Sequence, residues 1–172
     1  MSKRTLKKYL ASLPKEELEE QMAALYDKFT DVKAYYNFIF NPKEDKLEQE
    51  AKQKISNEYF PLKTKKAKLR RSTAQKYIKR FLLLGVDPFV ITEVMLYNIE
   101  TAMRYSARRD LKYKSFYTSM LSSYRQAADY ARLNGLTSDY KIRFDDIKNE
   151  AMKQRWEVAH GFEDVYEEII DI

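Results

Sequence analysis

The sequence predicts an all-α fold: one multi-helical domain spanning residues 1–172, with seven or eight roughly antiparallel helices in a bundle or short αα-superhelix. Three observations predict it. Only three Gly and four Pro punctuate 172 residues, too few for the turns that a sheet protein needs. Apolar side chains recur at three- and four-residue intervals along the chain, and no strand-like alternation survives. A content of 44% hydrophobic and 14% aromatic residues supplies an ample core and argues against disorder. A chain of this length fits one domain, and no stretch reads as a linker.

The elements follow from their punctuation. Ser12-Leu13-Pro14 reads as a cap and a first-turn proline, whose missing N–H costs a helix nothing there. Leu18, Met22, Leu25, Tyr26 and Phe29 then form a stripe, with Glu16, Glu17, Glu19 and Glu20 outward and suited to the positive end of the helix dipole. Thr30 or Asp31 restarts a helix along Val32, Tyr35, Tyr36 and Ile39. Asn41-Pro42-Lys43-Glu44 reads as a cap, a proline and a Glu reaching back to the cap amide. The stripe Leu47, Ala51, Ile55 and Tyr59 follows, ended by Pro61.

A basic segment and Phe81–Leu84 come next, closed by Gly85, and Asp87-Pro88 opens a helix through Val90, Ile91, Val94, Met95, Ala102 and Met103. Another carries Tyr113, Phe116, Tyr117, Met120, Leu121 and Tyr124 and stops at Asn134-Gly135. Phe144, Ile147, Ala151 and Val158 predict the next, with His160-Gly161 as its stop. Val165, Tyr166, Ile169 and Ile170 keep helical spacing in the acidic tail. Pro-Lys-Glu recurs at Pro14 and Pro42, but two loose copies of good helix-starting chemistry do not make a solenoid.

Composition narrows the chemistry. Without Cys there are no disulfides, thiolate nucleophiles or thiolate metal sites, which fits a reducing cytoplasm. No apolar stretch of signal-peptide length follows the basic start, and none approaches the roughly 20 residues of a membrane span. A cytoplasmic protein without membrane contact is expected. No Gly-rich loop can cradle a phosphate, and one histidine, His160, leaves little for acid–base or multi-His metal chemistry.

Glu157 and His160 have the Glu-x-x-His spacing of ferritin-like carboxylate sites, but the second such motif is missing. His160 before Gly161 suits a helix C-terminus instead. Asp145, Asp146 and Glu150 cluster within two turns, as dipole partners of a helix start more than as a Mg²⁺ site. Most of the 14 Tyr fall in or beside apolar stripes, and Tyr113, between Lys112 and Lys114, is the exception. No metal, cofactor or catalytic residue is expected.

The candidate anion- or partner-binding residues are Lys63, Lys65, Lys66, Lys68, Arg70, Arg71, Lys76, Lys79 and Arg80; no acid occurs from Tyr59 to Val86. If residues 65–84 form one helix, Lys65, Lys68, Lys76, Lys79 and Arg80 share one face opposite Ala67, Ala74, Tyr77, Ile78, Phe81 and Leu82. Alternatively, Ser72 and Gln75 make a capping box, leaving 62–71 as a basic loop leading into a helix N-terminus suited to phosphate.

Glu163, Asp164, Glu167, Glu168 and Asp171 concentrate negative charge in the last ten residues. This tail can meet the basic surface within the chain or in another copy. The net charge of +6 is moderate, and no known nucleic-acid motif accompanies the segment.

The stretches "KRTLKKYLASLPKEELEEQ" and "ALYDKFTDVKAYYNFIFNPKEDKL" resemble a family of small bacterial proteins of unknown function. The resemblance runs along most of the chain and implies a bacterial cytoplasmic protein, with no activity or site residues to carry over. The expected function is therefore non-enzymatic: protein–protein contacts, with a protein partner or self-association. Nucleic-acid binding through residues 63–80, extended by Arg104, Arg108, Arg109 and Lys112, is the alternative.

Overall fold

The computed structural model describes residues 2–63, 66–109 and 111–170. Among them are nine helices and no strand, so the chain is all-α with one or two helices more than the sequence predicts. Backbone contacts gather it into two compact units, Met1–Lys43 and Glu44–Ile172.

The first unit holds α1 (Lys3–Ala11), α2 (Lys15–Lys28) and α3 (Thr30–Phe40). Helix α1 is the addition. Ser2 starts it, its Oγ accepting the Thr5 N–H at 3.2 Å. Ser12 therefore closes α1 instead of capping α2, with its hydroxyl donating to the Tyr9 carbonyl at 2.7 Å. Proline at position 14 is itself the N-cap of α2.

The chain turns from α2 into α3 through the single extended residue Phe29. Two tyrosines join these helices. Tyr26 donates to Asn37 Oδ1 at 3.0 Å, and Tyr36 to the Met22 sulfur at 3.1 Å. The predicted periodicity is present, yet no described side chain of α1, α2 or α3 is buried.

The second unit holds α4 (Glu44–Tyr59), α5 (Arg71–Leu84), α6 (Pro88–Ser106), α7 (Lys114–Leu133), α8 (Thr137–Lys153) and α9 (Ala159–Ile170). Helix α6 is its centre, packed against α4, α5, α7 and α8. It buries about two thirds of its circumference, including Ile91, Val94, Met95, Leu96, Ile99 and Ala102, and leaves one face, along Glu93, Tyr97, Glu100 and Arg104, unburied. Asp87 caps it, accepting the Phe89 N–H at 2.7 Å, with Pro88 in the first turn.

Glu44 does not reach back to its own cap. Asn41 closes α3, and the Glu44 carboxylate accepts the Asp87 N–H at 3.0 Å, tying the start of α4 to the start of α6.

Gly85 and Gly135 end α5 and α7 in the left-handed region, at φ 74° and 71°, where a Cβ would be strained. Gly161 breaks the pattern. It lies inside α9, so His160 sits in a first helical turn and not at a C-terminus.

Helix α8 stops earlier, at Lys153, and Val158 belongs to the connection. There Arg155 takes φ 54° and the Trp156 N–H reaches back to the Ala151 carbonyl at 3.1 Å. That is glycine-type termination carried by an arginine, while the glycine serves packing. A Cβ on Gly161 would stand 2.6 Å from Leu121 Cδ2, so α9 approaches α7 closely at this point.

This contact predicts a coupled pair. Gly161→Ala should lower stability by about 1 kcal/mol, as overpacking outweighs the better helix propensity. In a Leu121→Ala background the same change should be neutral or stabilising. Chemical denaturation of the four-member cycle measures the difference.

Candidate functional site

The basic segment is not one helix. Helix α5 begins at Arg71 with Arg70 as its N-cap and no cap bond from the Arg70 side chain, so neither the helix over 65–84 nor the Ser72–Gln75 box forms, while the described residues 66–70 do make a basic loop leading into a helix N-terminus. Lys63, Lys66 and Lys68 lie in the connection from α4, Lys76, Lys79 and Arg80 on the exposed face of α5. Lys65 falls outside the described residues. The apolar side of α5 is narrower than the full-helix pattern suggests: Ala74, Ile78, Phe81 and Leu84 are buried, whereas Leu82 is exposed.

One acid positions the segment. Glu58, in the last turn of α4, is only 8% exposed. Its carboxylate receives Arg70 in the bidentate fashion, Nε at 3.0 Å and Nη2 at 2.8 Å, matching the planar guanidinium fork. Its carbonyl accepts the backbone N–H of Lys68 at 2.9 Å and of Leu69 at 3.2 Å, the latter at φ 54°. Arg71 reaches the other way, its Nε donating to Ser123 Oγ on α7 at 2.7 Å.

The eight described cations thus divide. Arg70 and Arg71 serve the fold. Among the described residues Lys63, Lys66, Lys68, Lys76, Lys79 and Arg80 are exposed and make no ion pair.

The acidic tail meets a different cation. Helix α9 packs on α7 and α8, and Glu168 accepts Arg125 of α7 at 2.9 and 3.2 Å. No ion pair joins the described part of the tail to the basic segment; Asp171 lies outside the described residues. His160 is 85% exposed and faces Glu163 at 3.5 Å, while Glu157 precedes α9 and pairs with Lys114 at 3.4 Å. Glu157 and His160 therefore share no helix.

Asp145, Asp146 and Glu150 lie in the second half of α8, not in its first turns, which removes the dipole explanation. Local partners replace it. Asp145 accepts Lys148 at 2.7 Å and Asn149 at 2.9 Å, and Glu150 accepts Gln154 at 2.7 Å. No group of three His, Cys, Asp or Glu among the described residues is arranged to hold a metal ion.

A second feature is a cleft of about 840 Å³ between α4, α6 and α8. Phe60, Tyr97, Met103 and Ile147 give it apolar walls, and Arg104, Arg108 and Lys153 stand with Glu100, Asp146 and Glu150 along it. A network fixes one side. Lys52 bridges Glu48 and Glu93 at 2.7 Å each, and Arg143 binds Glu93 and, at 2.8 Å, Glu100. Burial pushes the Glu93 carboxyl up, and Lys52 and Arg143 outweigh it to hold the pKa below 4.5.

Sequence reasoning missed the Glu58 anchor. The only signal was an acid standing immediately before an acid-free stretch, which leaves its partner unnamed. It did mark Arg104 and Arg108, but as an extension of the basic segment and not as the wall of a cleft.

The anchor has a pH signature. Arg70 first, against an opposing effect of burial, holds the Glu58 carboxyl below its ordinary 4.5. A depressed folded-state pKa contributes stability above the unfolded value and loses it as pH falls through the folded value. Wild-type protein should therefore lose a stability increment below pH 4.5 that Glu58→Gln never has. Denaturation midpoints of the two, measured from pH 7 to pH 3, should converge on the acid side.

No curated protein and no solved structure matches the chain. A family model does, over residues 1–170, and the chain belongs to that family, a family of unknown function (DUF6155).

Proposed function

We propose that this protein works without catalysis, by contacts with another protein made through its N-terminal unit. One observation carries the reading. In α1, α2 and α3 no described side chain is buried, while Leu6, Tyr9, Met22, Leu25, Phe29, Tyr35, Ile39 and Phe40 are large, apolar and exposed, Phe40 to 81%. So many large apolar side chains exposed on three short helices suit a partner's groove, the usual way such helices are completed.

The charge supports a partner of stated chemistry. Helix α1 carries Lys3, Arg4, Lys7 and Lys8 with no acid, and none of these four pairs with a described carboxylate. An apolar surface with an acidic border complements it. A bacterial cytoplasmic setting, suggested by the family resemblance and the cysteine-free sequence, belongs to the same proposal.

A photocrosslinking residue at Phe40, with one at Ile142 on α8 (77% exposed) as control, tests it in cells. The expected result is an adduct to another polypeptide from position 40 alone, reduced severalfold by Ile39→Glu. Adducts confined to the same chain, or identical from both positions, would contradict it.

The exposed cations of the basic segment favour a second reading, binding to nucleic acid. Contact with about six phosphates would cost roughly a thousandfold in affinity between 50 and 200 mM salt. A titration with duplex and single-stranded DNA at both concentrations should show that slope if this reading holds. Flat, weak binding would exclude it.

A further inference from the structure

We infer that the cleft between α4, α6 and α8 is a binding site for a small amphipathic anion: a carboxylate or phosphate head on an apolar body. It lies wholly within the second unit and does not depend on the N-terminal contact proposed above.

Size comes first. A volume of about 840 Å³ falls in the range of small-molecule sites, roughly 300–1,000 Å³. The walls have the mixed character such sites need. Phe60 is edge-on to Tyr105, with ring centroids 5.7 Å apart, and the side chains of Met103 and Ile147 belong to the core and are held in place. Tyr97 is fixed by two cations, Lys52 at 5.3 Å and Arg104 at 5.6 Å from its ring. These walls are preorganised, which lowers the ordering cost of binding.

Charge then selects the ligand. Of the three acids on the cleft, Glu100 is occupied by Arg143 at 2.8 Å, and Glu150 by Gln154 at 2.7 Å and Lys153 at 3.5 Å. Asp146 has no described partner. Arg104, one turn after Glu100 on α6, and Arg108, in the turn that follows that helix, are exposed and lack any carboxylate partner among the described residues. Arg104 is oriented by one bond, Nη2 to Thr101 Oγ1 at 2.9 Å. Two guanidinium forks four residues apart in sequence, at the end of α6 and in the turn after it, both lining the cleft beside its apolar wall, suit a carboxylate or phosphate, and the lone Asp146 does not cancel both.

Decanoate and octyl phosphate, below their micelle concentrations and with decanol as the neutral control, test the site by calorimetry on the full chain. One-to-one binding of either anion in preference to decanol is expected. Replacing Arg104→Gln and Arg108→Gln together should weaken it by about tenfold or more, with unchanged circular dichroism. Asp146→Asn should tighten it, because it removes the one unpaired negative charge.

Equal binding of decanol and the anions, indifference to the arginine pair, or weakening by Asp146→Asn would overturn the proposal. So would no binding by either anion. Co-sedimentation with phosphatidylglycerol vesicles, lost in the arginine variant, would identify a lipid as the source. Soluble binding without co-sedimentation would identify a free metabolite.

Discussion

The second unit depends on the burial of α6. A 19-residue helix that hides all but the face along Glu93, Tyr97, Glu100 and Arg104 needs neighbours on most sides, and α4, α5, α7 and α8 each pack against it. Its polar residues fit because each finds a partner. Thr92 donates to the Pro88 carbonyl at 2.8 Å, Tyr59 to Asn98 at 3.4 Å, and Ser106 meets Gln154 at 2.7 Å. No buried side-chain polar atom among the described residues is left unsatisfied, the condition under which polar groups can lie in a core.

Around this helix, charge does positional work. Lys52, Glu93, Arg143 and Glu100 tie α4 and α8 to one side of α6, and the cleft lies between the same three helices. The basic segment obeys a related division. Its two adjacent arginines, with planar forks, bind Glu58 and Ser123, and its described lysines, with compact heads on flexible stems, stay in water. The segment's backbone is thus held while most of its charge remains exposed.

Much of the fold was legible because helix periodicity and strong breakers are local signals. Asp87-Pro88, Gly85 and Asn134-Gly135 act as their chemistry dictates. The failures came where a capping residue serves the other helix of a junction, or where a residue answers to a distant neighbour. Ser12 and Asn41 end the preceding helix instead of starting the next. Glu44 serves α6, and Gly161 answers to Leu121 forty residues away in sequence. Arg155 ends α8 in a conformation that sequence rules reserve for glycine. At the candidate sites, the cations were visible from composition. Their division into anchors and free charges was not, because Glu58 and Ser123 are near Arg70 and Arg71 only in space.

The two units differ in what supports them. Glu44–Ile172 has a deep core, whereas the described helices of Met1–Lys43 keep every side chain at least partly exposed. Local stability follows buried apolar contact, so protection from exchange should be distributed unevenly along the chain. Native-state hydrogen exchange on the free protein measures this directly. The α6 amides from Val94 to Ala102 should exchange only on global unfolding, while those of α1, α2 and α3 should exchange far faster through local opening. Protection in α2 and α3 equal to that of α6, or rapid exchange within α6, would contradict it.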